Sequence, residues 1–440
     1  MATATNGTAT REPLTKGDVS AKAGNQISYE DLYRRWEQGN WKAYDIDFTQ
    51  DRKGWAGLEE IQRESALWIY SMFFYGEDAV TDGLSPYIDA APTEEQKYFL
   101  ATQQVDEARH SVFFHRFFKE VIGAGDDLSS GLAFTERYLN WGYRGVFDRL
   151  ETMGDELRRD RSLPKFAQAI DLYQMIIEAS MAQPGQHYIE DFFVKEGAMP
   201  GFSEGMHNVA RDEQRHIGFG VKVLNELLAE SDECKAAVEE IMHEMFPFLV
   251  SVFVPPDWDE RYTTSYGFTM QDIYSFGMRS VEAKWKAIGF PLQDMMEGAL
   301  YPFDPEMPHK TRADRQIKLL KAGVLGEPNG IAPATPDVQE IYFDVIARSA
   351  RSDALDAPMT IQWDFTDADP WHVRLNNGST VAEKGVALDA DLTLETTWGQ
   401  WIQISMQGEN PAKAVLTRKL RPRGGLRNLA RMGQVWQPRG

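Results

Sequence analysis

The sequence predicts a mainly α protein, a long helical bundle followed by a small α+β domain. Three observations carry the prediction. Apolar residues recur at three- and four-residue steps from about residue 28 to 322, a stretch rich in glycine and proline interrupts the chain at 323–337, and apolar and polar residues alternate singly beyond it.

The elements follow in chain order. The first 26 residues, "MATATNGTATREPLTKGDVSAKAGNQ", are small and polar, so residues 1–27 read as a disordered tail without a targeting signal. Long helices are expected over 56–80, 128–158, 163–192, 231–250 and 267–287. Another starts at Thr93, which suits a capping box with Gln96 just after Pro92. Along it Leu100, Gln103, Glu107, His110, Phe114, Phe117 and Val121 share one face. A later helix aligns Met206, Val209, Glu213, His216, Gly220 and Val223 in the same way. "GVLGEPNGIAPATPD", residues 323–337, has the composition of a linker. After it "MTIQWDF" alternates Met359, Ile361, Trp363 and Phe365 with polar residues. "WHVRL" repeats the pattern and turns at Asn376-Asn377-Gly378, and "ADLTLET" gives a third strand. Short helices around Trp398–Met406 and Pro411–Leu416 complete an α+β domain over 338–440.

Composition narrows the function. A formal charge of −21 argues against nucleic acid and anionic membranes as partners. Cys234 is the single cysteine, so no internal disulfide forms and nothing points to an oxidising compartment. The longest apolar run, "FPFLVSVFVPP", is too short to span a bilayer. A soluble, cytoplasmic protein without a transmembrane segment is expected.

The informative chemistry is a repeated Glu-x-x-His. "VDEARH" supplies Glu107 and His110, and "RDEQRH" supplies Glu213 and His216, each pair on the apolar side of its helix. A Glu and a His three residues apart reach one ion, and two such helices with a carboxylate from each of two others build a dimetal site inside a four-helix bundle. The two further acids are at hand: Glu77 and Asp78 in "FFYGEDAVTDGLSP", and Glu178 in "IDLYQMIIEASMA". Four buried carboxylates without cations would cost several kcal/mol each, so two metal ions are expected.

The ordered set "DFTQDRKGW", "FFYGEDAVTDGL", "DEARH", "YQMIIE" and "RDEQRH" resembles the small subunit of ribonucleotide reductase, and most of all that family's offshoot, the ligand-binding oxidases with a manganese–iron centre. The likeness covers roughly residues 28–290 and implies a ferritin-like helical domain over 28–322. It implies Asp78, Glu107 and His110 as ligands on one side and Glu178, Glu213 and His216 on the other. Aspartate at the first position is the reductase choice and glutamate the oxidase choice, so Glu77 stays open as the alternative to Asp78. Asp212 resembles the carboxylate that orients a ligand histidine. Phe114 stands where the reductases carry a radical-bearing tyrosine. Val80 and Tyr173 match the pair that the ligand-binding oxidases join through an oxidative ether crosslink. Tyr173 and Glu178 are five residues apart, a step that shares a face only if the helix has a π-bulge. Residues 338–440 resemble the sterol carrier protein fold, which encloses an apolar tunnel for a lipid. Trp363, Trp371, Trp398 and Trp401 are read as its core.

Together these readings imply an O2-dependent oxidase or oxygenase working through a high-valent Mn/Fe or Fe/Fe centre on a hydrophobic, fatty-acid-like molecule. An external reductant supplies electrons, and family likeness implies a homodimer. The alternatives are a radical-generating reductase subunit, an N-oxygenase or desaturase on the same scaffold, and a noncatalytic protein that binds metal or lipid.

Overall fold

Helical spacing becomes helix along most of the chain in the computed structural model, which describes residues 27–196, 199–290, 304, 306–328, 330–376 and 378–436. The tail expected over 1–27 lies outside the described residues except for Ile27. Helices α1 (Tyr29–Gly39), α2 (Asp51–Gly57), α3 (Glu60–Gly83), α4 (Ser85–Ala90) and α5 (Glu94–Phe117) come first. Then α6 (Leu128–Thr135), α7 (Trp141–Arg159) and α8 (Leu163–Ile170) lead into a π-helix, Asp171–Ala182. It is followed by α9 (Gln183–Glu196), α10 (Pro200–Glu230), α11 (Asp232–Leu249), α12 (Arg261–Thr264), α13 (Met270–Ala287) and α14 (His309–Lys321).

Local chemistry sets where these helices begin and break. At α5, Thr93 accepts a hydrogen bond from the Gln96 backbone at 3.3 Å. The return arm of the expected box is missing, because the Gln96 side chain instead donates to the Tyr29 hydroxyl at 3.0 Å. The single helix expected over 128–158 is two. Asn140 caps α7, accepting from the Tyr143 backbone at 2.9 Å while its amide donates to the Val252 carbonyl at 2.7 Å, so the chain turns there instead of running on. The stretch expected as one helix over 163–192 is α8, the π-helix and α9 in succession.

The C-terminal domain is built from α15 (Pro336–Arg348), β1 (Met359–Phe365), β2 (Trp371–Asn376), β3 (Ser379–Lys384), β4 (Leu392–Thr396), α16 (Trp398–Met406), α17 (Pro411–Leu416), β5 (Arg421–Arg423) and α18 (Leu426–Val435). The sheet order is β3-β2-β1-β4-β5, with β1 parallel to β4 and the other pairs antiparallel. Trp363, Trp371, Trp398 and Trp401 are all buried in its core. That core continues into the bundle, since Val250, Met270 and Tyr274 belong to the same apolar cluster as Ile361 and Trp363. Within the glycine- and proline-rich stretch, Val324 and Leu325 are buried as well, and Ala332 donates its N–H back to the Ala322 carbonyl. The start of the connection is therefore packed against the core, while residues 327, 328, 330, 332, 333 and 335–337 are exposed. Among the described residues no helix is long and apolar enough to cross a membrane.

Candidate metal centre

Four segments converge: α3, α5, the π-helix and α10. Both α5 and α10 carry one five-residue pattern, Asp106-Glu107-Ala108-Arg109-His110 and Asp212-Glu213-Gln214-Arg215-His216. Helical geometry puts Glu and His of each pattern on one face, three residues apart. Two devices seat α10 against the rest. Asp51, from the quoted "DFTQDRKGW", accepts from the backbone N–H groups of Gly201 at 3.0 Å and Phe202 at 2.7 Å, and so closes the first turn of α10 from outside. Farther along, Gly220 allows close approach of the π-helix, because a Cβ there would collide with Gln174.

The convergence brings two overlapping groups of ligand atoms to within 4.8 Å of one another: Glu77, Glu107, His110 and Glu213, and Glu107, Glu178, Glu213 and His216. His110 Nδ1 lies 3.1 Å from Glu107, 3.2 Å from Glu77 and 3.7 Å from Glu213. His216 Nδ1 lies 3.2 Å from Glu107, 3.4 Å from Glu178 and 3.8 Å from Glu213. Glu107 and Glu213 thus belong to both groups.

Each imidazole is held from behind by the aspartate of the other motif. His110 Nε2 is 3.3 Å from Asp212, and His216 Nε2 is 3.2 Å from Asp106. Two arginines, Arg215 buried and Arg109 partly so, tie these aspartates together. Arg109 donates to Asp106 and, at 3.0 Å, to Asp212; Arg215 donates to Asp106 and, at 3.1 Å, to Asp212. Trp41 Nε1 adds a bond to Asp212 at 2.8 Å and Trp36 Nε1 one to Asp106 at 2.9 Å. Sequence reasoning found Asp212 but missed Asp106, Arg109, Arg215 and both tryptophans. The signal for Asp106 and the arginines was legible: the repeat extends beyond Glu-x-x-His to the whole Asp-Glu-x-Arg-His.

Of the two acids weighed at the first position, the structure brings Glu77 into the cluster and leaves Asp78 out. Successive helical residues are rotated by about 100°, so when Glu77 faces His110, Asp78 faces sideways and accepts from Ser111 Oγ at 3.2 Å. The preference for Asp78 is corrected on that ground. Glu178 is reached through the π-helix, which also turns Tyr173 inward: its hydroxyl donates to Glu107 Oε1 at 2.7 Å. Tyr173 and Val80 both line an apolar cavity of about 50 Å³ beside the carboxylates, with Ile69, Met72, Phe73, Ile177 and Met181. Phe114 is fully buried and stacks on Phe73, ring centres 6.0 Å apart.

The charges of the cluster call for cations. Burial pushes the Glu77 carboxyl up to about 8 against the pull of His110. Burial and the neighbouring Glu213 raise Glu178 well above the ordinary range, and burial with Glu107 raises Glu213. Burial alone would depress the imidazoles, yet the carboxylates around them hold both well above the usual histidine value. Glu107 alone of the four glutamates is held well below the ordinary range, against its burial, by His216 and His110, so the other three are raised where negative charge is in excess. Glu178 Oε2 and Glu213 Oε2 are buried without a hydrogen-bond partner. Oxygen and imidazole donors with unsatisfied inward atoms fit two divalent ions of the first transition row. The cluster can hold two metal ions.

Comparison with known proteins agrees with this geometry. Residues 24–252 match the family "Ribonucleotide reductase, small chain", and residues 347–435 match the "SCP-2 sterol transfer family". Among solved structures, three variants of an R2-like ligand-binding oxidase are each 25% identical to this chain and cover 60% of it. One carries an aerobically reconstituted Mn/Fe cofactor, with 93% of its own length covered and a TM-score of 0.53. Two carry anaerobically reconstituted Mn/Fe, with 93% and 94% covered and a TM-score of 0.52 each.

Proposed function

The chain belongs to the ribonucleotide reductase small-chain family, and from that membership we propose an O2-dependent dimetal oxidase or oxygenase acting on a hydrophobic, fatty-acid-like substrate. The observation that supports it best is that both ligand groups adjoin one apolar cavity shared with Tyr173 and Val80. Glu77, Glu107, His110 and Glu213 would hold one ion; Glu107, Glu178, Glu213 and His216 would hold the other. A Mn/Fe pair is the first choice, by likeness to the oxidases above, and Fe/Fe the second. When bound, the pair supplies electrons to O2 and an oxidant able to attack a C–H bond.

The chain's own residues prepare that chemistry. Asp106 and Asp212 fix the imidazoles at Nε2, so that Nδ1 faces the ions. Gln103 donates to Glu178 Oε1 at 2.7 Å and holds that carboxylate in place. Burial and the adjacent Glu107 keep the Tyr173 phenol protonated well above its usual range, so it serves Glu107 as a donor. Ile69, Met72, Phe73, Ile177 and Met181 exclude water and give an apolar lining to the space beside the carboxylates. The C-terminal domain retains the apolar substrate, and an external reductant and a homodimeric assembly complete the reading.

Phe114 disfavours a radical-generating reductase subunit, because its ring has no hydroxyl to oxidise. Element-specific anomalous diffraction on metal-loaded protein, paired with O2 uptake, tests the proposal. One manganese and one iron between the six ligands, with O2 consumed, support it. Stable occupancy with no O2 consumption by the reduced protein overturns it in favour of a noncatalytic binder. The same sample reports on Val80 and Tyr173. An ether bond between them replaces a Val80 C–H and the Tyr173 O–H, releasing two protons and two electrons to O2, with the other two electrons that reduce O2 to water coming from the external reductant, and the intact chain loses the mass of two hydrogens. Tyr173→Phe should keep both metals and show no such loss.

A further inference from the structure

The C-terminal domain holds a cavity of about 640 Å³, within the range of small-molecule sites. Leu394 of β4, Trp401 and Met406 of α16, and Leu429 and Met432 of α18 line it. Its wall is not complete within that domain. The remaining side is α11 of the helical bundle, which contributes His243, Phe246 and Pro247.

That side of α11 suits an apolar occupant. Pro247 lies inside the helix and has no N–H to present, and its carbonyl is taken by Ser251 Oγ at 2.9 Å. Phe246 adds an aromatic face. Polar groups are few: His243, paired with Glu239 at 3.6 Å, and Ser405, bonded to the Tyr342 hydroxyl at 2.7 Å. The two domains are held in this arrangement by buried contacts. Val250, just past α11, packs in the C-terminal core, and the Gln407 amide donates to the Gly323 carbonyl at 3.0 Å. Within the same stretch of chain, Val252 and Phe253 line the cavity beside the metal centre.

We propose that this cavity is a two-domain binding site for a long-chain monoacyl amphiphile, closed by α11 of the bundle, with His243, Phe246 and Pro247 in contact with the bound molecule. It rests on the reading of the C-terminal domain as a lipid holder and needs neither metal nor O2. The bound chain bridges the two domains, and the segment that grips it continues into the wall of the metal-site cavity.

Photo-crosslinking of the full chain with a diazirine analogue of palmitic acid, mapped by peptide mass spectrometry, tests it. The expected result is label on the tryptic peptide spanning residues 236–261, which contains α11's contact residues, together with label on the peptide 385–413 from the C-terminal domain. Both should be competed by unlabelled palmitate. Label on 385–413 with none on 236–261 overturns the two-domain site while leaving the lipid-holder reading intact. No label anywhere in 338–440 overturns both. Phe246→Trp narrows the cavity at its bundle wall, where the bound chain would pass, and should weaken binding of a fluorescent fatty acid at least tenfold, with the melting temperature unchanged. Unaltered affinity in a folded variant counts against the proposal.

Discussion

Gly220→Ala tests how the centre is assembled, because it moves one ligand without touching any. A Cβ at this position would lie 2.9 Å from Gln174 Cγ and nearer still to Gln174 Cβ, whereas ordinary contact begins at 3.4 Å. Gln174 Cβ, which starts nearer than 2.9 Å, must therefore retreat by more than 0.5 Å to reach 3.4 Å. A rotamer change cannot absorb this, since Cβ is fixed to the backbone, so the π-helix itself must shift. Glu178 is four residues farther along that helix. Metal–ligand distances tolerate about 0.2 Å, less than half the displacement. The fold should survive: overpacking costs ~1–3 kcal/mol, and alanine in place of a helical glycine returns about 1 kcal/mol. The net loss of about 2 kcal/mol or less corresponds to a drop in melting temperature of roughly 4–8 °C at most. The expected outcome is a folded protein that keeps the ion between Glu77 and His110 and loses the one beside Glu178. Metal analysis with calorimetry on the same sample reads both quantities. Two ions held with unchanged affinity would refute the reasoning.

Glu77→Ala should lower the metal content of purified protein by one ion per chain, while Asp78→Ala leaves it unchanged; the reverse result sinks the rotational argument for Glu77. Asp106→Asn should weaken metal affinity roughly 10–100-fold without removing a ligand, read by competition with a chelator, and an effect below threefold would show that His216 needs no such support. Removing bound metal should lower the melting temperature, because an ion present at a hundred times its dissociation constant contributes about 2.7 kcal/mol, or roughly 4 °C per ion for a helical domain of about 300 residues. That shift should vanish in a folded Glu107→Ala/Glu213→Ala double variant, and its persistence there would place the metals elsewhere.

What the sequence disclosed depends on the range of the interaction. Glu107, His110, Glu213 and His216 were legible because a three-residue step on an apolar face is local and periodic. The choice between Glu77 and Asp78 was not, because neighbours on a helix differ only in rotation, and the rotation of α3 is set by packing against α5. The break at Asn140 escaped for a similar reason: its cap is strengthened by a bond to Val252, more than a hundred residues away. In the C-terminal domain the alternation in "MTIQWDF" and "WHVRL" announced β1 and β2. The largely exposed β3 and the three-residue β5 carry little apolar signal and are defined by pairing with β2 and β4. Composition likewise gives no hint that Val324 and Leu325, at the start of the glycine- and proline-rich stretch, pack in the core.

The doubled Asp-Glu-x-Arg-His motif explains why the site needs both helices at once. Neither motif completes itself: the aspartate of α5 steadies the histidine of α10, the aspartate of α10 steadies the histidine of α5, and each arginine bonds both aspartates. Two positive guanidinium groups offset the two aspartates, so the excess negative charge falls on the four glutamates, where the cations are to bind. Severing one brace therefore disturbs both. Asp106→Asn and Asp212→Asn should be strongly non-additive in metal affinity, since either change frees an arginine bond that the other aspartate shares. A double-mutant cycle measured by chelator competition decides the point. Simple additivity would mean that the two metal positions are supported independently and that the cross-bracing is incidental to metal binding.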